Sequence, residues 1–115
     1  EGRQRQAALL AVSAFSELKH VFLVDEDVDC FYIKDVVWAM NTRFQADVDL
    51  MPIPGVRCHP LDPSNDPAMS PSIRDHGIAC KAIFDCTVPF SEKDRFHRSK
   101  FKELDPAHWV PELFK

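Results

Sequence analysis

The chain has 115 residues, of which 45% are hydrophobic and 28% charged, and a formal net charge of −4. This length suits one domain, and the composition is that of an ordinary globular protein. The negative charge disfavours nucleic-acid binding, and no apolar run approaches the roughly 20 residues that span a bilayer. Without a recognisable signal peptide, we expect a cytoplasmic protein that does not bind membranes, with its four cysteines reduced.

The first predicted helix covers residues 3–18. Apolar residues recur along it at intervals of three and four, which is the spacing of one helix face. We expect this alanine-rich face to lie closely against a sheet. Its members are Ala7, Leu10, Ala11, Ala14, Phe15 and Leu18.

A predicted strand at residues 20–25 is the element around which the chain is organised. Its uninterrupted apolar run is typical of a central strand buried on both faces. The run ends abruptly in carboxylates, so the carboxyl end of the strand should open into polar surroundings. These carboxylates are Asp25, Glu26, Asp27 and Asp29.

A second helix is predicted over residues 33–43, and a short strand over residues 48–53. Asp35 lies near the N-terminal end of the helix, where the helix dipole favours a negative charge. The expected buried face consists of Ile33, Val36, Val37, Met40 and Phe44. Because a helix connects the two strands, we expect them to be parallel and joined by a right-handed crossover.

The rest of the chain contains a long connection, a third strand and a last helix. Residues 55–78 are rich in proline and lack periodicity, which predicts an irregular segment. The strand predicted over residues 79–88 alternates between two faces. One face would carry Cys80, Ala82, Phe84 and Cys86, and the other Lys81, Ile83 and Asp85. The last helix is predicted over residues 92–104, with Ser91 as its N-cap.

Together these elements predict a single α/β domain over residues 1–115, with three layers and a short, mostly parallel sheet flanked by helices. In such layers ligands gather at the carboxyl ends of the strands. The tail, residues 107–115, holds Trp109, Leu113 and Phe114. So many large apolar side chains in a terminal segment predict a docking tail, for instance onto another subunit.

The carboxylates after the first strand resemble the opening of an EF-hand loop, which then requires glycine and glutamate at its sixth and twelfth positions. Cys30 and Val36 stand there, so we reject a calcium loop and expect the carboxylates to cap the next helix and to pair with basic residues. A zinc site could draw on Cys58, His59, His76 and Cys80, but adjacent Cys-His is poor tetrahedral geometry. We predict no catalytic residue and no metal ligand.

The segment over residues 54–63 leaves the second predicted strand, where an α/β layer places ligands. Its prolines stiffen the backbone, which suits a pocket wall. His59 and Arg57 add polar groups with useful chemistry at neutral pH. The segment is therefore a candidate binding site.

Several motifs in a fixed order resemble the C-terminal domain of UbiD-type decarboxylases. They are Lys19-His20-Val-Phe-Leu-Val-Asp25-Glu-Asp-Val-Asp29, Asp35-Val-Val-Trp38-Ala39-Met-Asn-Thr42-Arg43, Pro54-Gly55, His59-Pro60-Leu61-Asp62-Pro63 and Asp85-Cys-Thr87. Each motif is weak alone, whereas the ordered set is specific. With His59, the chain is most similar to the branch that acts on hydroxybenzoates such as protocatechuate or gallate.

The resemblance implies part of a carboxy-lyase that uses prenylated FMN, a divalent metal (manganese) and potassium. In the family, the residue before the Pro-Leu pair and the leucine line the substrate pocket, so His59 and Leu61 would contact the aromatic acid. The family's catalytic Glu-Arg-Glu set and metal ligands have no counterpart here, which implies that this segment is inactive alone. Its partners would be the remainder of the decarboxylase and further copies in a homo-oligomer.

One departure from the family pattern and one alternative function remain. Many relatives begin the helix after the first strand with Asp-Pro. This chain has Tyr32-Ile33 there, so we expect Asp29 to stabilise that helix start. The alternative function is a stand-alone α/β protein-interaction module without catalysis, which a coding region ending near these limits would favour.

Overall fold

The computed structural model describes residues 2–65, 77–99 and 104–115. Its helices are α1 (Arg3–Ala14), α2 (Ile33–Thr42), the one-turn α3 (Ala46–Asp49) and α4 (Pro106–Trp109). Its strands are β1 (His20–Val24), β2 (Leu50–Arg57) and β3 (Ile78–Cys86), and 3-10 turns cover Pro63–Asn65, Phe90–Arg95 and Pro111–Phe114. The predicted α/β class is confirmed.

The three strands form one mixed sheet in the order β1–β3–β2. β1 and β3 are parallel, with Val24 opposite Cys86. β2 is antiparallel to β3, with Arg57 opposite Ile78. The sheet therefore has one parallel and one antiparallel pair instead of being mostly parallel.

The predicted parallel pairing of the first two strands is wrong, because β3 lies between them and β2 runs opposite to both. Arg43, directly after α2, is hydrogen-bonded to Asp25 and Asp27, which follow β1. These bonds hold the end of α2 at the carboxyl edge of β1, so the chain starts β2 there and runs back along the sheet. β1 is an edge strand of this sheet, and its Phe22 is 40% exposed, so β3 and not β1 is central.

A bulge interrupts β2 near its end, where the register against β3 shifts between Ile53 and Val56. Pro54 has no N–H for the ladder, and Gly55 adopts a φ of 70°, which favours glycine. Residues 55–57 thus belong to the strand and not to the predicted irregular segment. Residues 66–76 of that segment lie outside the described residues.

Apolar clusters fill both faces of the sheet, which confirms the three layers and the alternation along β3. Under α1, Ala8 and Val12 pack on Ile83. Under α2, Ala39 packs with Cys86.

The predicted buried face of α1 is wrong. The buried side chains are Ala8 and Val12, whereas Leu10 is 71% and Phe15 is 60% exposed. Apolar residues occur on most sides of this helix, so their spacing does not single out the face that meets the sheet.

Lys81 of β3 holds the C-terminal end of α1 through hydrogen bonds. Its Nζ donates to the carbonyl oxygens of Phe15 and Ser16 at 3.0 Å and of Val12 at 3.4 Å. These carbonyls belong to the last turn of the helix or follow it, where backbone acceptors lack helical partners. The helix accordingly ends at Ala14, not at the predicted residue 18.

The buried face of α2 agrees in part with the prediction. Val36 is buried and Met40 and Phe44 are partly buried, but Ile33 and Val37 are exposed. The spacing of apolar residues therefore predicted the centre of the buried face correctly, but the predicted face was too wide and included two exposed residues.

The start of α2 has no side-chain cap from Tyr32. Instead, the Asp29 carboxylate accepts the N–H of Phe31 at 2.9 Å, and Asp35 accepts the N–H of Asp29 at 2.8 Å. This geometry agrees with the expected stabilising role of Asp29.

The last predicted helix is wrong within the described residues. The chain forms a 3-10 turn over Phe90–Arg95 without a side-chain cap, residues 96–99 are not helical, and residues 100–103 lie outside the described ranges. Arg98 binds Asp35, with Nη1 2.9 Å from Oδ2, and lies 4.3 Å from the ring centre of Trp38. These contacts fasten the segment to α2, where it lies as irregular chain instead of a helix.

The tail forms two short turns, α4 and Pro111–Phe114. Its large apolar side chains Trp109, Leu113 and Phe114 are all exposed. None of the helices within the described ranges is long and apolar enough to cross a membrane.

Candidate functional site

Arg43 pairs with two of the carboxylates at the carboxyl edge of β1, Asp25 and Asp27. Its Nη1 donates to Asp25 at 3.0 Å and to Asp27 at 2.7 Å, and its Nη2 donates to Asp27 at 2.7 Å. The paired hydrogen bonds from Arg43 lower the pKa of Asp27. Asp25 also accepts the N–H of Val88 at 2.9 Å. The predicted pairing with basic residues is confirmed for Asp25 and Asp27, and these two carboxylates tie three segments of the chain together.

Asp85, near the end of β3, is held in the same way by Arg5 of α1. Arg5 Nε donates to Asp85 at 2.6 Å, and Nη2 donates to Asp49 at 3.1 Å. The Thr87 N–H and hydroxyl donate to Asp85 at 3.2 and 2.5 Å. Burial, the largest influence, raises the pKa of Asp85, but the hydrogen bonds from Thr87 and Arg5 outweigh it and lower the pKa overall.

A cleft of about 960 Å³ opens beside these ion pairs. Phe44, Phe90 and Phe96 contribute to its walls, together with Glu26 and Lys93. The arginines and carboxylates described above are already engaged with one another. We therefore assign them a structural role and not a role in binding a ligand.

No metal site emerges from residues 2–65, 77–99 and 104–115, and the buried thiol of Cys86 is not activated. No group of three or more His, Cys, Asp or Glu side chains in these ranges could hold a metal ion, and His76 of the zinc hypothesis lies outside them. Burial, followed by the nearby charges of Asp85 and Asp49, raises the pKa of Cys86 to about 11. This thiol stays protonated at neutral pH and is no nucleophile.

The predicted binding segment lies at the other edge of the sheet. Because β2 is antiparallel to β3, its last residue, Arg57, stands opposite Ile78, the first residue of β3. The argument that placed His59 and Leu61 at the carboxyl ends of parallel strands is therefore wrong. Both follow β2 at the amino edge of β1 and β3, where His59 is half-buried and Leu61 is 82% exposed.

Local hydrogen bonds hold His59 and Leu61 in one tight turn. The Leu61 N–H donates to His59 Nδ1 at 3.1 Å, and the Asp62 N–H donates to the His59 carbonyl at 3.0 Å. Since Nδ1 accepts, the neutral imidazole carries its proton on Nε2. His59 can thus present a hydrogen-bond donor to an oxygen of a bound molecule.

Lys19, which directly precedes β1, forms an ion pair with this turn. Its Nζ lies 2.8 Å from Asp62 Oδ2 and also donates to the Ser64 hydroxyl. The Lys19 hydrogen bond, followed by those of Ser64, lowers the pKa of Asp62 to about 2. Sequence reasoning missed this pair, because the two residues meet only once the direction of β2 is known.

Known proteins are similar to this chain over most of its length. Residues 1–86 match the family model of the 3-octaprenyl-4-hydroxybenzoate carboxy-lyase (UbiD) C-terminal domain. A gallate decarboxylase of Lactiplantibacillus plantarum is 60% identical over 110 residues, which are 95% of this chain and 22% of that protein. The chain thus spans about a fifth of the length of this relative.

Solved structures give the same result. The apo 3,4-dihydroxybenzoic acid decarboxylase of Enterobacter cloacae is 59% identical with a TM-score of 0.80, covering 99% of this chain and 23% of its own. A UbiD-class enzyme of Pelotomaculum thermopropionicum, in complex with FMN, is 31% identical with a TM-score of 0.74, covering 88% and 21%. With the family model matched over residues 1–86, this chain belongs to the UbiD carboxy-lyase C-terminal domain family.

Proposed function

We propose that this chain forms one wall of the substrate pocket in a UbiD-type carboxy-lyase that removes CO2 from a hydroxybenzoic acid without oxidising it. The observation that carries this proposal is the 60% identity to a gallate decarboxylase over 95% of the chain. The 59% identity to a 3,4-dihydroxybenzoic acid decarboxylase supports the same substrate class. Both relatives act on benzoic acids with adjacent ring hydroxyls.

His59 and Leu61 are the residues that we propose contact the aromatic acid. His59 Nε2 would donate a hydrogen bond to a ring hydroxyl, since its Nδ1 is engaged by the Leu61 N–H. Leu61 projects an exposed apolar side chain from the same turn, which suits contact with the face or edge of the ring. A polar group left without a partner in such a pocket would disfavour acids that lack the hydroxyl.

We propose that the activity requires prenylated FMN, with manganese and potassium, bound by other parts of the enzyme. The described residues supply no His, Cys, Asp or Glu cluster that could hold a metal ion, so manganese does not fit the described part of this segment. We therefore derive no step through them, and we expect the isolated chain to be inactive. Its own contribution is to orient the substrate and to close one side of the pocket.

The exposed apolar tail supports a further part of the proposal, assembly into a homo-oligomer. Trp109, Leu113 and Phe114 are exposed together, so a second subunit is a suitable acceptor for them. The stand-alone interaction module is disfavoured, because the similar proteins described above are decarboxylases.

Replacing His59 by phenylalanine in the full-length enzyme tests the proposed contact. We expect kcat/KM for 3,4-dihydroxybenzoate to fall more than tenfold, because phenylalanine cannot donate the hydrogen bond by which His59 would recognise a ring hydroxyl. Steady-state assays should include an acid without ring hydroxyls, for which the loss should be smaller.

His97→Phe is the matched control, since His97 is exposed at the opposite edge of the sheet. This variant should keep its activity on both acids. Unchanged turnover of dihydroxybenzoate by the His59→Phe enzyme would remove His59 from the substrate site.

A further inference from the structure

Lys19 joins the sheet to the turn that carries His59. Its backbone carbonyl accepts the Ala82 N–H at 3.0 Å, which fixes Lys19 against β3. Its side chain leaves the sheet edge and lies 2.8 Å from the Asp62 carboxylate. The ammonium group therefore connects a rigid strand to a segment that follows the last residue of β2.

Asp62 links Lys19 to the proposed binding residues through hydrogen bonds within the turn. Its carboxylate accepts the N–H and hydroxyl of Ser64 at 3.0 and 2.8 Å. Its own N–H donates to the His59 carbonyl at 3.0 Å, and its carbonyl accepts the Asn65 N–H at 3.1 Å. A displacement of Asp62 would thus move His59 and, through the bond to Nδ1, the backbone of Leu61.

We propose that Lys19 is a positioning residue for substrate recognition, acting through Asp62 on His59. This inference rests on the proposed function, because it assumes that His59 reads a ring hydroxyl. A single ion pair that water reaches, such as this half-buried one, contributes little to the stability of a whole protein. Here, however, it fixes a recognition side chain, and displacements of about 1 Å at a site can change rates strongly.

The test uses the full-length enzyme with Lys19→Met, Lys19→Arg and the exposed-lysine control Lys34→Met. We expect Lys19→Met to lower kcat/KM for 3,4-dihydroxybenzoate about three- to tenfold, mainly through KM, because the chemical step lies elsewhere. Lys19→Arg keeps the charge and should remain within about twofold of the parent enzyme, as should Lys34→Met.

A double-mutant cycle separates positioning from general stabilisation. In a His59→Phe background, Lys19→Met should cost less than about twofold, because the side chain that it positions is gone. An equal loss in both backgrounds would show that Lys19 does not act through His59 and would overturn the inference.

Hydrogen–deuterium exchange gives a readout that does not depend on activity. In Lys19→Met, the backbone amides of the non-proline residues among 59–65 should exchange faster than in the parent, while Lys34→Met leaves them unchanged. Unchanged exchange, or unchanged kcat/KM while His59→Phe lowers it, refutes the positioning role and leaves the proposed function standing. If His59→Phe itself has no effect on turnover, the proposed substrate contact fails and the positioning role fails with it.

Discussion

Lys81→Met should destabilise the domain far more than removal of a surface lysine. Lys81 is 2% exposed, and its ammonium donates to three carbonyl oxygens, two at 3.0 Å and one at 3.4 Å. A hydrogen bond from a charged donor contributes about 1.5–3 kcal/mol, and the favourable position at a helix C-terminus adds several tenths.

Burying the ammonium group costs free energy, which opposes these gains. The Lys81→Met variant avoids this cost and buries some apolar surface in its place. The variant loses two full hydrogen bonds and one weak one but avoids the desolvation cost. We therefore expect the free energy of unfolding to fall by about 2–4 kcal/mol. Urea denaturation of the Lys81→Met protein and its parent would measure the difference.

Lys34→Met is the control, because Lys34 is exposed on α2 and its loss should change stability by less than about 0.5 kcal/mol. If Lys81→Met falls within the same range, the three carbonyl contacts do not stabilise the junction of α1 with the sheet. That outcome would refute the reasoning about how α1 ends.

Two further predictions concern the packing of the core and the dependence of the free energy of unfolding on acidic pH. Ile83→Ala should lower the free energy of unfolding by about 2–5 kcal/mol in urea denaturation, because Ile83 is fully enclosed; a loss no larger than for exposed Ile33→Ala would contradict this. The Arg98 hydrogen bond, followed by that of the Asp29 N–H, lowers the pKa of Asp35 from 3.8 to about 2. Wild-type protein should thus exceed Asp35→Asn in stability above about pH 4 and lose this advantage as pH falls through about 2; a constant difference from pH 6 to pH 2 would exclude the ion pair as its source.

Local patterns predicted the parts of the fold that depend on local geometry. The two-residue alternation along β3 assigned Lys81, Ile83 and Asp85 to one face correctly, because side chains of a strand must point to opposite sides. The direction of β2 was not predictable in this way. It depends on Arg43 meeting Asp25 and Asp27, a contact between segments that are distant in the sequence.

The candidate site shows the same division between local and long-range information. The His59–Leu61 motif could be recognised from its order among other motifs, and its internal hydrogen bond spans only two residues. Its location at the amino edge of β1 and β3 could not, because that follows from the direction of β2. Lys19 was missed for the same reason, since it is 43 residues from Asp62 in the sequence and meets it only in the folded sheet.

The reversed direction of β2 has a consequence for how such a domain can diversify. Nine residues of β3, roughly 30 Å of extended chain, separate the arginine–carboxylate pairs that fasten the layers from the turn proposed to read the substrate. In the proposed role of this turn, substitutions at residues 59 and 61 would alter which acid is accepted without weakening the ion pairs at the far end of β3. Under this proposal, the same scaffold would be retained while the substrate preference of the enzyme changes.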